Sequence, residues 1–455
     1  MSPAPYDTVI HRGRVVTRYG VVVADLGISG GVIAEISTAS LRGHEDIDAA
    51  GRVVLPGAVD LHAHFNDPGR THWEGWGPGS RAAAAGGVTT VVEMPLNSIP
   101  STVTVDAVAA KLAAARGQSM VDFALWGGLI PDNVEDLPAL AGAGVIGFKA
   151  FMSHSGTDEF PFVDDGVLLA GLEQLRDLGQ LLAVHAESNA VTGDRARRLR
   201  AAGRRDPRAW TEARPPMAEM EAIHSVLLLA REARCRLHIV HMTLPEGAAA
   251  VRAARTRGLA VTAETCPHYL TLTDEDLARL GPVAKCAPPL RDAERQRGLW
   301  AALLRGDIDC VASDHSPCPT DEKIRGEDDI WAAWGGIAGI QTLVPLMFTE
   351  GVHRRGLPLA RLAALTATHP ARIAGLWPQK GEIRAGSDAD LIVADLDRAW
   401  RVSAEWLQSR HKHSPFVGRS VRGWIARVLV RGRTVCRDGE VVGDPQGRWL
   451  RRPPG

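Results

Sequence analysis

The sequence predicts an α/β protein built from a (β/α)8 TIM barrel and a small β-sandwich domain that contains both ends of the chain. The length of 455 residues exceeds one ordinary domain but fits a barrel with an added domain. Eight apolar, strand-like runs in the middle alternate with helix-like segments, and the two ends share a different, strand-rich pattern. We therefore expect residues 1–55 and 376–455 to form the sandwich and residues 56–375 to form the barrel.

Short strand-like runs fill both ends of the chain. Residues 7–55 and 381–440 consist of Val- and Ile-rich runs punctuated by glycine and aspartate. Such runs are typical of an antiparallel sheet or sandwich, because β-branched residues suit a pleated surface and Gly and Asp suit turns. The similarity between the two ends predicts one domain made from both.

The middle of the chain has a different pattern. Apolar runs of strand length are separated by Ala-, Leu- and Arg-rich segments such as DAVAAKLAAARG and GVLLAGLEQLRDLG. Alternating strand and helix units indicate a parallel sheet, and eight of them indicate closure into a barrel. The eight runs lie at residues 53–65, 87–95, 121–129, 144–152, 181–187, 236–243, 259–267 and 308–315.

The composition argues against several kinds of partner. Lys and Arg total 52 and Asp and Glu total 53, so there is no electrostatic reason to expect nucleic acid or a membrane surface. No stretch reaches about 18 uninterrupted apolar residues, and MSPAPYDTVIHRGRVV lacks an apolar signal core, so we expect neither a membrane span nor a signal peptide. The six cysteines form no C-x-x-C pair, which is typical of reduced thiols in a cytoplasmic protein.

Metal-binding and titratable side chains fall at the carboxyl ends of five of these runs. In a parallel barrel these ends line the catalytic face, so the side chains converge when the barrel closes. His62 and His64 are two residues apart, so on a strand they point to the same side and can chelate one cation. The candidate site residues are His62, His64, Lys149, His185, His241 and Asp314.

Each of these residues also has a structural interpretation. A single histidine at a strand end, such as His185 or His241, is more often a hydrogen-bonded core residue. Lys149 alone is ordinarily a solvated or salt-bridged lysine, and Asp314 could cap a helix. Taken together, these structural interpretations are disfavoured, because five strands would all have to end in metal-binding residue types by accident.

Two further histidines lie near the predicted site. His238 precedes His241 by three residues, so on a strand it faces the opposite side and is expected to pack or to support the site from behind. His268, in ETCPHYL after the seventh run, could approach the site, and its role is left open.

The motifs resemble those of the cyclic amidohydrolases, a family that includes dihydroorotases, dihydropyrimidinases, hydantoinases and allantoinases. The resemblance covers nearly the whole chain, and it is specific because many motifs occur together and in order, whereas DHS or HAH alone would be weak. It implies a metal-dependent hydrolase with a barrel and a β domain. The matching segments are VDLHAHFNDPGR, GFKAFMSHSGTDEF, LLAVHAES, LHIVHMT, AETCPHYL, KCAPPLRD, ASDHSPC, GEIRAGSDADLIVAD and KHSPFVG.

The resemblance implies two divalent metal ions per chain, usually zinc. It also implies that Lys149 is N6-carboxylated, because a bare ammonium beside two dications is strongly unfavourable whereas a carbamate can bridge them. The implied reaction is metal-assisted hydrolysis, in which Asp314 accepts the proton of the attacking water and later donates it to the leaving nitrogen. The implied ligands are His62, His64 and Asp314 for the more buried ion, His185 and His241 for the second, and Lys149 for both.

A few positions distinguish the branches of this family. Dihydroorotases typically carry Arg two residues after the second metal histidine, where this chain has Asn66, although the nearby Arg70 could take that place. Hydantoinases and dihydropyrimidinases usually carry Tyr five residues after the bridging lysine, where this chain has His154. Asn97 and the backbone at Ala287 are further candidate substrate contacts. For Asn66 and Asn97 the alternative interpretation is turn formation.

These differences make the chain most similar to the allantoinase branch. The resemblance implies hydrolysis of the hydantoin ring of allantoin, a small uncharged substrate, to allantoate in purine degradation, and it implies a cytoplasmic homotetramer. The alternative enzyme is a hydantoinase or dihydropyrimidinase that acts on another cyclic amide. A non-enzymatic scaffold, as in relatives that have lost their metal ligands, is disfavoured because no implied ligand is missing here.

Overall fold

The N-terminal segment forms five strands, as its β-branched composition predicts. The computed structural model describes residues 6–452, so residues 1–5 and 453–455 of the predicted terminal domain lie outside the described part of the chain. The first strand pairs antiparallel with the second and parallel with the fourth and fifth. The strands are β1 (Tyr6–Thr17), β2 (Gly20–Ser29), β3 (Val32–Ser37), β4 (Gly43–Asp48) and β5 (Val53–Pro56).

The barrel follows, and its strands run parallel to one another, as predicted. A bridge between Ala63 and His315 joins the region after the last strand to the first strand and so closes the ring. The barrel strands are β6 (Ala58–Ala63), β7 (Val88–Glu93), β8 (Asp122–Leu125), β9 (Gly127–Gly128), β10 (Phe148–Phe151), β11 (Leu181–His185), β12 (Arg236–Ile239), β13 (Val261–Thr265) and β14 (Cys310–Val311).

Two of the predicted strand-like runs are divided in the structure. The run 53–65 splits at Gly57, because β5 pairs within the terminal sheet while β6 is the first strand of the barrel. The run 121–129 is interrupted at Trp126, so that β8 pairs with β7 and β9 pairs with β10. These two short segments together occupy the third strand position of the barrel.

Helices pack against the barrel strands through their apolar sides. In the helix after the fourth barrel strand, the Asp164 side chain caps the first turn, and the buried Leu168, Leu172 and Leu175 recur at helical spacing. Among residues 6–452 no helix is both long and apolar enough to cross a membrane. The helices are α1 (Trp76–Ala85), α2 (Val105–Ala115), α3 (Leu137–Ala143), α4 (Asp165–Asp177), α5 (Asn189–Ala201), α6 (Pro207–Ala213), α7 (Pro216–Ala233), α8 (Pro245–Thr256), α9 (Pro267–Thr271), α10 (Asp274–Leu280), α11 (Ala293–Arg305), α12 (Thr320–Ile324), α13 (Leu343–Met347), α14 (Leu359–Ala363) and α15 (His369–Ile373). Shorter 3₁₀ or π-helical turns cover Val134–Asp136, Gly281–Ala284, Ile330–Ala332, Ile340–Thr342, Phe348–His353 and Ala364–Thr368.

Four C-terminal strands, β15 (Leu391–Arg401), β16 (Ser420–Val430), β17 (Arg433–Arg437) and β18 (Glu440–Val441), continue the N-terminal sheet. The junction is the antiparallel pairing of β15 with β5. The resulting nine-stranded sheet has the order β18-β17-β16-β15-β5-β1-β2-β3, with β4 beside β1. This arrangement confirms that both ends of the chain build one domain. Its exact limits at residues 55 and 376 stay a prediction.

Candidate active site

The six candidate site residues lie at the carboxyl-terminal face of the barrel. Each occupies the strand itself or the loop directly after it, and all six are buried. Five different strands therefore deliver polar side chains to one end of the barrel. The residues are His62 in β6 and His64 just after it, Lys149 in β10, His185 at the end of β11, His241 after β12 and Asp314 after β14.

His62, His64 and Asp314 form the first cluster. The Asp314 Oδ1 atom lies 3.3 Å from His62 Nε2 and 3.6 Å from His64 Nε2. One ligand atom from each residue lies within 4.8 Å of the others, a spacing that allows the three side chains to share a metal ion. Asp60 ties the first and last strands together behind them, because its Oδ1 accepts the backbone N–H groups of Ser313 at 3.0 Å and His62 at 3.2 Å.

His185 and His241 form the second cluster. His185 Nδ1 lies 2.9 Å from His241 Nε2, a distance that fits either a shared proton or a shared cation after a small separation of the rings. The rings of His241 and His62 are 5.3 Å apart, so the two clusters adjoin. Lys149 is fully buried, with its Nζ 4.6 Å from the centre of the Phe151 ring.

Burial determines the protonation of these groups. It lowers the pKa of His64 and His185 to about 4 and lowers that of His241 as well, and the Lys149 charge adds to all three shifts. Lys149 therefore lies close to both clusters. The lowered pKa values leave the imidazoles of His64, His185 and His241 neutral at neutral pH. Burial lowers the pKa of Lys149 itself to about 7. Burial alone would raise the pKa of Asp314, but the neighbouring histidines outweigh it and lower that pKa.

Glu264 in β13 is a functional residue that the sequence analysis missed. Its Oε1 lies 2.6 Å from His62 Nδ1 and its Oε2 lies 3.1 Å from His238 Nε2. Burial alone would raise the pKa of Glu264, but His62 and His238 outweigh it, so the pKa is lowered and the carboxylate is ionised. The contact places the His62 proton on Nδ1 and leaves Nε2 with its lone pair facing Asp314. His238 thus supports the site from behind, as its spacing predicts.

Glu187 plays the corresponding part for His185, and it was also missed. Its Oε2 accepts a hydrogen bond from His185 Nε2 at 2.8 Å and pairs with Arg214. Burial alone would raise the pKa of Glu187, but Arg214 and His185 bring it to about 2. His185 Nδ1 is thereby left to face His241. The available signal was spacing, since Glu187 follows His185 by two residues in HAES.

His268 approaches the first cluster from α9. One ligand atom each from His268, Cys266 and Asp314 lies within 4.8 Å of the others. Burial lowers the pKa of His268 to about 4, so it reaches the cluster as a neutral ring. His268 therefore does approach the site, and its role stays open.

The clusters open into a cavity of about 440 Å³. Asn97, His154 and Ala287 line this cavity together with the four candidate ligand histidines and Asp314. Asn66 is instead buried against the loop after Asp314, where its Nδ2 donates to the Pro317 carbonyl oxygen at 3.2 Å. Both asparagines have positive φ, 62° at Asn66 and 72° at Asn97, which agrees with the turn interpretation.

The donor set fits divalent cations. Histidine nitrogens and carboxylate oxygens are the usual ligands of zinc and similar ions. Within residues 6–452 the buried Lys149 Nζ has no hydrogen-bond partner, and its pKa of about 7 leaves a large neutral fraction, the form that reacts with CO₂ to give a carbamate. A barrel that gathers such ligands at its catalytic face, below a cavity, defines a metal-dependent hydrolase.

Comparisons with known proteins agree with this class. The Amidohydrolase family profile matches residues 53–435. The allantoinase of Rubrobacter xylanophilus is 50% identical over 448 residues, 98% of both chains, and that of Solibacter usitatus is 48% identical over 98% of this chain and 97% of its own. The solved L-hydantoinase (dihydropyrimidinase) from Arthrobacter aurescens superimposes with a TM-score of 0.95 at 38% identity and covers 98% of this chain and 100% of its own. The chain belongs to the amidohydrolase family, as its motifs predict.

Proposed function

We propose that the protein hydrolyses the hydantoin ring of allantoin to give allantoate. The observation that carries this proposal is the full-length similarity to allantoinases, 50% and 48% identical, in a chain whose six candidate ligands converge at the barrel face. Allantoin is a hydantoin ring with a ureido arm, and it is uncharged at neutral pH. A hydantoinase reaction is the second candidate, because the solved L-hydantoinase has nearly the same fold.

Two divalent cations, zinc by family resemblance, complete the proposed site. When bound, they would supply acidified water for the attack and polarise the scissile carbonyl group. Lys149 is carboxylated in this proposal. Its neutral Nζ forms a bond to CO₂ and releases one proton, so a carbamate anion replaces the ammonium that would otherwise lie beside the cations. The proposed ligands are His62, His64 and Asp314 for one ion, His185 and His241 for the other, and Lys149 for both.

Asp314 moves the proton in the proposed reaction. Its lowered pKa keeps it ionised at neutral pH, so it accepts a proton from the attacking water as the C–O bond forms at the ring carbonyl. It returns this proton to the ring nitrogen as the C–N bond breaks, and allantoate leaves with a new carboxylate. Glu264 and Glu187 hold His62 and His185 in the tautomers that keep a lone pair on the side of the cations.

The cavity wall would position the substrate. Asn97, His154 and Ala287 line the cavity. In this proposal Asn97 and His154 would offer donors and acceptors to the polar arm, and the backbone at Ala287 would contact the ring. Asn66 stays a predicted contact: its Nδ2 is used by Pro317, while its Oδ1 has no partner among residues 6–452. Sites that hydrogen-bond a polar substituent discriminate strongly against analogues that lack it, because buried partners are left unpaired.

The test of this proposal is a substrate comparison. Values of kcat/KM for allantoin, hydantoin, dihydrouracil and dihydroorotate are measured in one buffer with one metal. Allantoin should be best, hydantoin should be poorer by about 10²-fold if one buried contact is lost, and dihydroorotate should be negligible because Asn66 stands where dihydroorotases carry the arginine that binds the substrate carboxylate. A higher kcat/KM for dihydrouracil or hydantoin would instead assign the protein to the hydantoinase reaction.

Three further parts of the proposal rest on the family resemblance alone. These are zinc as the metal, a homotetramer as the assembly and the cytoplasm as the location. Metal analysis of the purified protein should find about two ions per chain, the number that the ligand set implies.

A further inference from the structure

Lys285 is a buried lysine in the wall of the cavity. It follows the helical turn Gly281–Ala284, and only 2% of its surface is exposed. Its Nζ donates to the Ala333 carbonyl oxygen at 2.6 Å and lies 4.1 Å from the centre of the Trp210 ring. Trp210 is itself held by a hydrogen bond of 2.8 Å from its Nε1 to the Cys286 carbonyl oxygen. The end of the Lys285 side chain therefore has a defined position.

The contacts of Lys285 leave part of its hydrogen-bonding capacity unused. Among residues 6–452 Ala333 is its single acceptor, and Asp329, the carboxylate whose charge acts on it, is not within ion-pair distance. Burial, assisted by the positive charges of Lys323 and Arg214, lowers its pKa well below the usual lysine value. An ammonium has three N–H donors and a neutral amine has two, so at least one donor is free in either state. A buried donor without an acceptor is unfavourable unless a ligand satisfies it.

Lys323 offers an internal comparison. It is a second buried lysine, and its Nζ donates to the carbonyl oxygens of Trp334 at 2.8 Å and Gly336 at 2.6 Å. Both lysines therefore hold the loop at residues 331–336. Of the two, Lys285 is the one that lines the cavity. Support of the loop is thus shared by both lysines, whereas access to the cavity belongs to Lys285.

We propose that Lys285 donates a hydrogen bond to the carbonyl oxygen of the arm on the substrate ring, which in allantoin is the ureido group. This inference rests on the proposed function. The Lys285 Nζ contacts the Trp210 ring in α6 and the Ala333 carbonyl oxygen, which lie in the cavity wall outside the strand ends that carry the two histidine clusters. In this proposal Lys285 therefore serves the arm rather than the reacting carbonyl. Lys285 is a specificity-determining residue in this proposal, and not a catalytic one.

The experiment compares K285M with K323M. For each variant and the wild type, kcat/KM is measured for allantoin and for hydantoin, which lacks the arm, with the same metal and buffer. K285M should lower the ratio of allantoin to hydantoin kcat/KM by about 10- to 100-fold, the cost of leaving the buried carbonyl oxygen of the arm without its donor. K323M should change this ratio by less than about 3-fold, because Lys323 holds the same loop but does not line the cavity. Melting temperatures report the loss of loop support in both variants.

The outcomes separate the two proposals. A ratio that is unchanged in K285M, or that falls equally in K323M, overturns the inference and assigns Lys285 to loop support alone. A wild-type protein that does not prefer allantoin to hydantoin overturns the proposed function instead. If K285M does not fold, K285Q takes its place, because glutamine keeps a polar end but is one bond shorter than lysine. The same fall in the ratio is expected for K285Q, and an unchanged ratio overturns the inference.

Discussion

Two buried carboxylates determine which nitrogen of each histidine can face a metal ion. Glu264 accepts from His62 Nδ1, whereas Glu187 accepts from His185 Nε2, so the two histidines use opposite nitrogens for the same purpose. In each case the remaining nitrogen faces another member of its cluster, Asp314 for His62 and His241 for His185. A carboxylate behind a ligand histidine fixes its tautomer and ring orientation and raises its basicity.

Replacement of Glu264 by glutamine should therefore weaken metal binding by about 10- to 100-fold, the usual effect of losing such a partner. The neutral amide cannot stabilise the proton on His62 Nδ1 as the carboxylate does. The measurement is the metal content that remains on the protein after dialysis against a graded series of chelator concentrations.

The matched control for E264Q is E350Q. Glu350 is also buried, and its ion-pair partners within residues 6–452 are Arg354, Arg355 and Arg419 rather than members of the histidine clusters. E350Q should lower the stability of the fold and leave metal retention at the wild-type level. Equal retention in E264Q and the wild type would contradict the role assigned to Glu264.

Replacement of Lys149 by alanine should abolish detectable turnover, and added short carboxylic acids should restore part of it. The reason is that the proposed carbamate supplies a bridging anion, which an acid bound in the space left by the side chain can replace. The rescued rate should saturate with acid concentration. Lys111 is a control lysine that is also fully buried but is paired with Glu93, so K111A should show no rescue. Full activity of K149A without added acid would refute the bridging role.

The sequence could identify His62, Lys149 and the other candidate ligands because each follows a local pattern, a polar residue at the end of an apolar run. Glu264 and His62 are 202 residues apart, and their pairing depends on the closure of the barrel. A glutamate within a buried strand was the only local signal for this contact. Side-chain contacts between strands that are distant in the sequence are therefore the part of the site that could not be predicted.

The division of the first apolar run is a second feature that no local pattern predicts. At Gly57 the chain leaves the terminal sheet and enters the barrel: Gly57 N donates to the Asp390 carbonyl oxygen at 2.8 Å, and Ala58 N donates to the Gly87 carbonyl oxygen at 3.0 Å. Residues 53–65 are apolar on both sides of this point, so periodicity alone gives one continuous strand. The distinction lies in pairing partners that are distant in the chain.

Gly57→Ala should destabilise the fold by about 1–3 kcal/mol, the range for forced overpacking. A Cβ at this position would lie 2.2 Å from Thr89 Oγ1 and 2.3 Å from Thr89 Cγ2, so one strand would have to move. The measurement is the free energy of unfolding in urea. The double variant G57A/T89A should recover part of the loss, because Thr89 Oγ1 and Cγ2 are removed and only the Cβ atom, at 2.8 Å, still collides.

The control for G57A is G193A. Gly193 lies within α5, and an added Cβ there meets no atom within 4 Å. This change should be neutral or stabilising, by up to about 1 kcal/mol, since alanine favours the helix. A G57A variant as stable as G193A would show that the transition between the two domains tolerates a side chain.

The barrel and the terminal domain are joined by a buried charge cluster. Lys380 Nζ lies 2.6 Å from Asp122 Oδ2 in β8 and 2.8 Å from both Asp388 Oδ2 and Asp390 Oδ2. Arg431 from the C-terminal strands pairs with the same Asp122. These contacts connect the third strand position of the barrel with the segment that precedes β15.

The joint terminal domain could be predicted because both ends share one composition. The charge cluster that joins this domain to the barrel could not be predicted, because Lys380 and Asp122 are separated by 258 residues. In the sequence, Asp388 and Asp390 belong to GSDAD, which has the polar, Gly-containing composition of a surface loop. Their burial follows from the docking of the two domains and not from their local pattern.

Lys380→Met should therefore destabilise the protein by about 3–5 kcal/mol, because removing one partner leaves buried carboxylates without a counter-charge. Burial alone would lower the pKa of Lys380, but Asp390, Asp122 and Asp388 outweigh it and raise that pKa. A raised pKa in the folded state means that the stabilisation is fully present below the unfolded lysine value of about 10.4 and is lost as the pH rises through the higher folded value. The difference in urea unfolding free energy between wild type and K380M should thus be constant between about pH 8 and about pH 10 and narrow above that range.

The double variant K380M/D390N should recover part of the stability that K380M loses, because one uncompensated carboxylate is removed. A loss below about 1 kcal/mol in K380M, the usual value of a surface ion pair, would contradict the proposed role of this cluster in joining the domains.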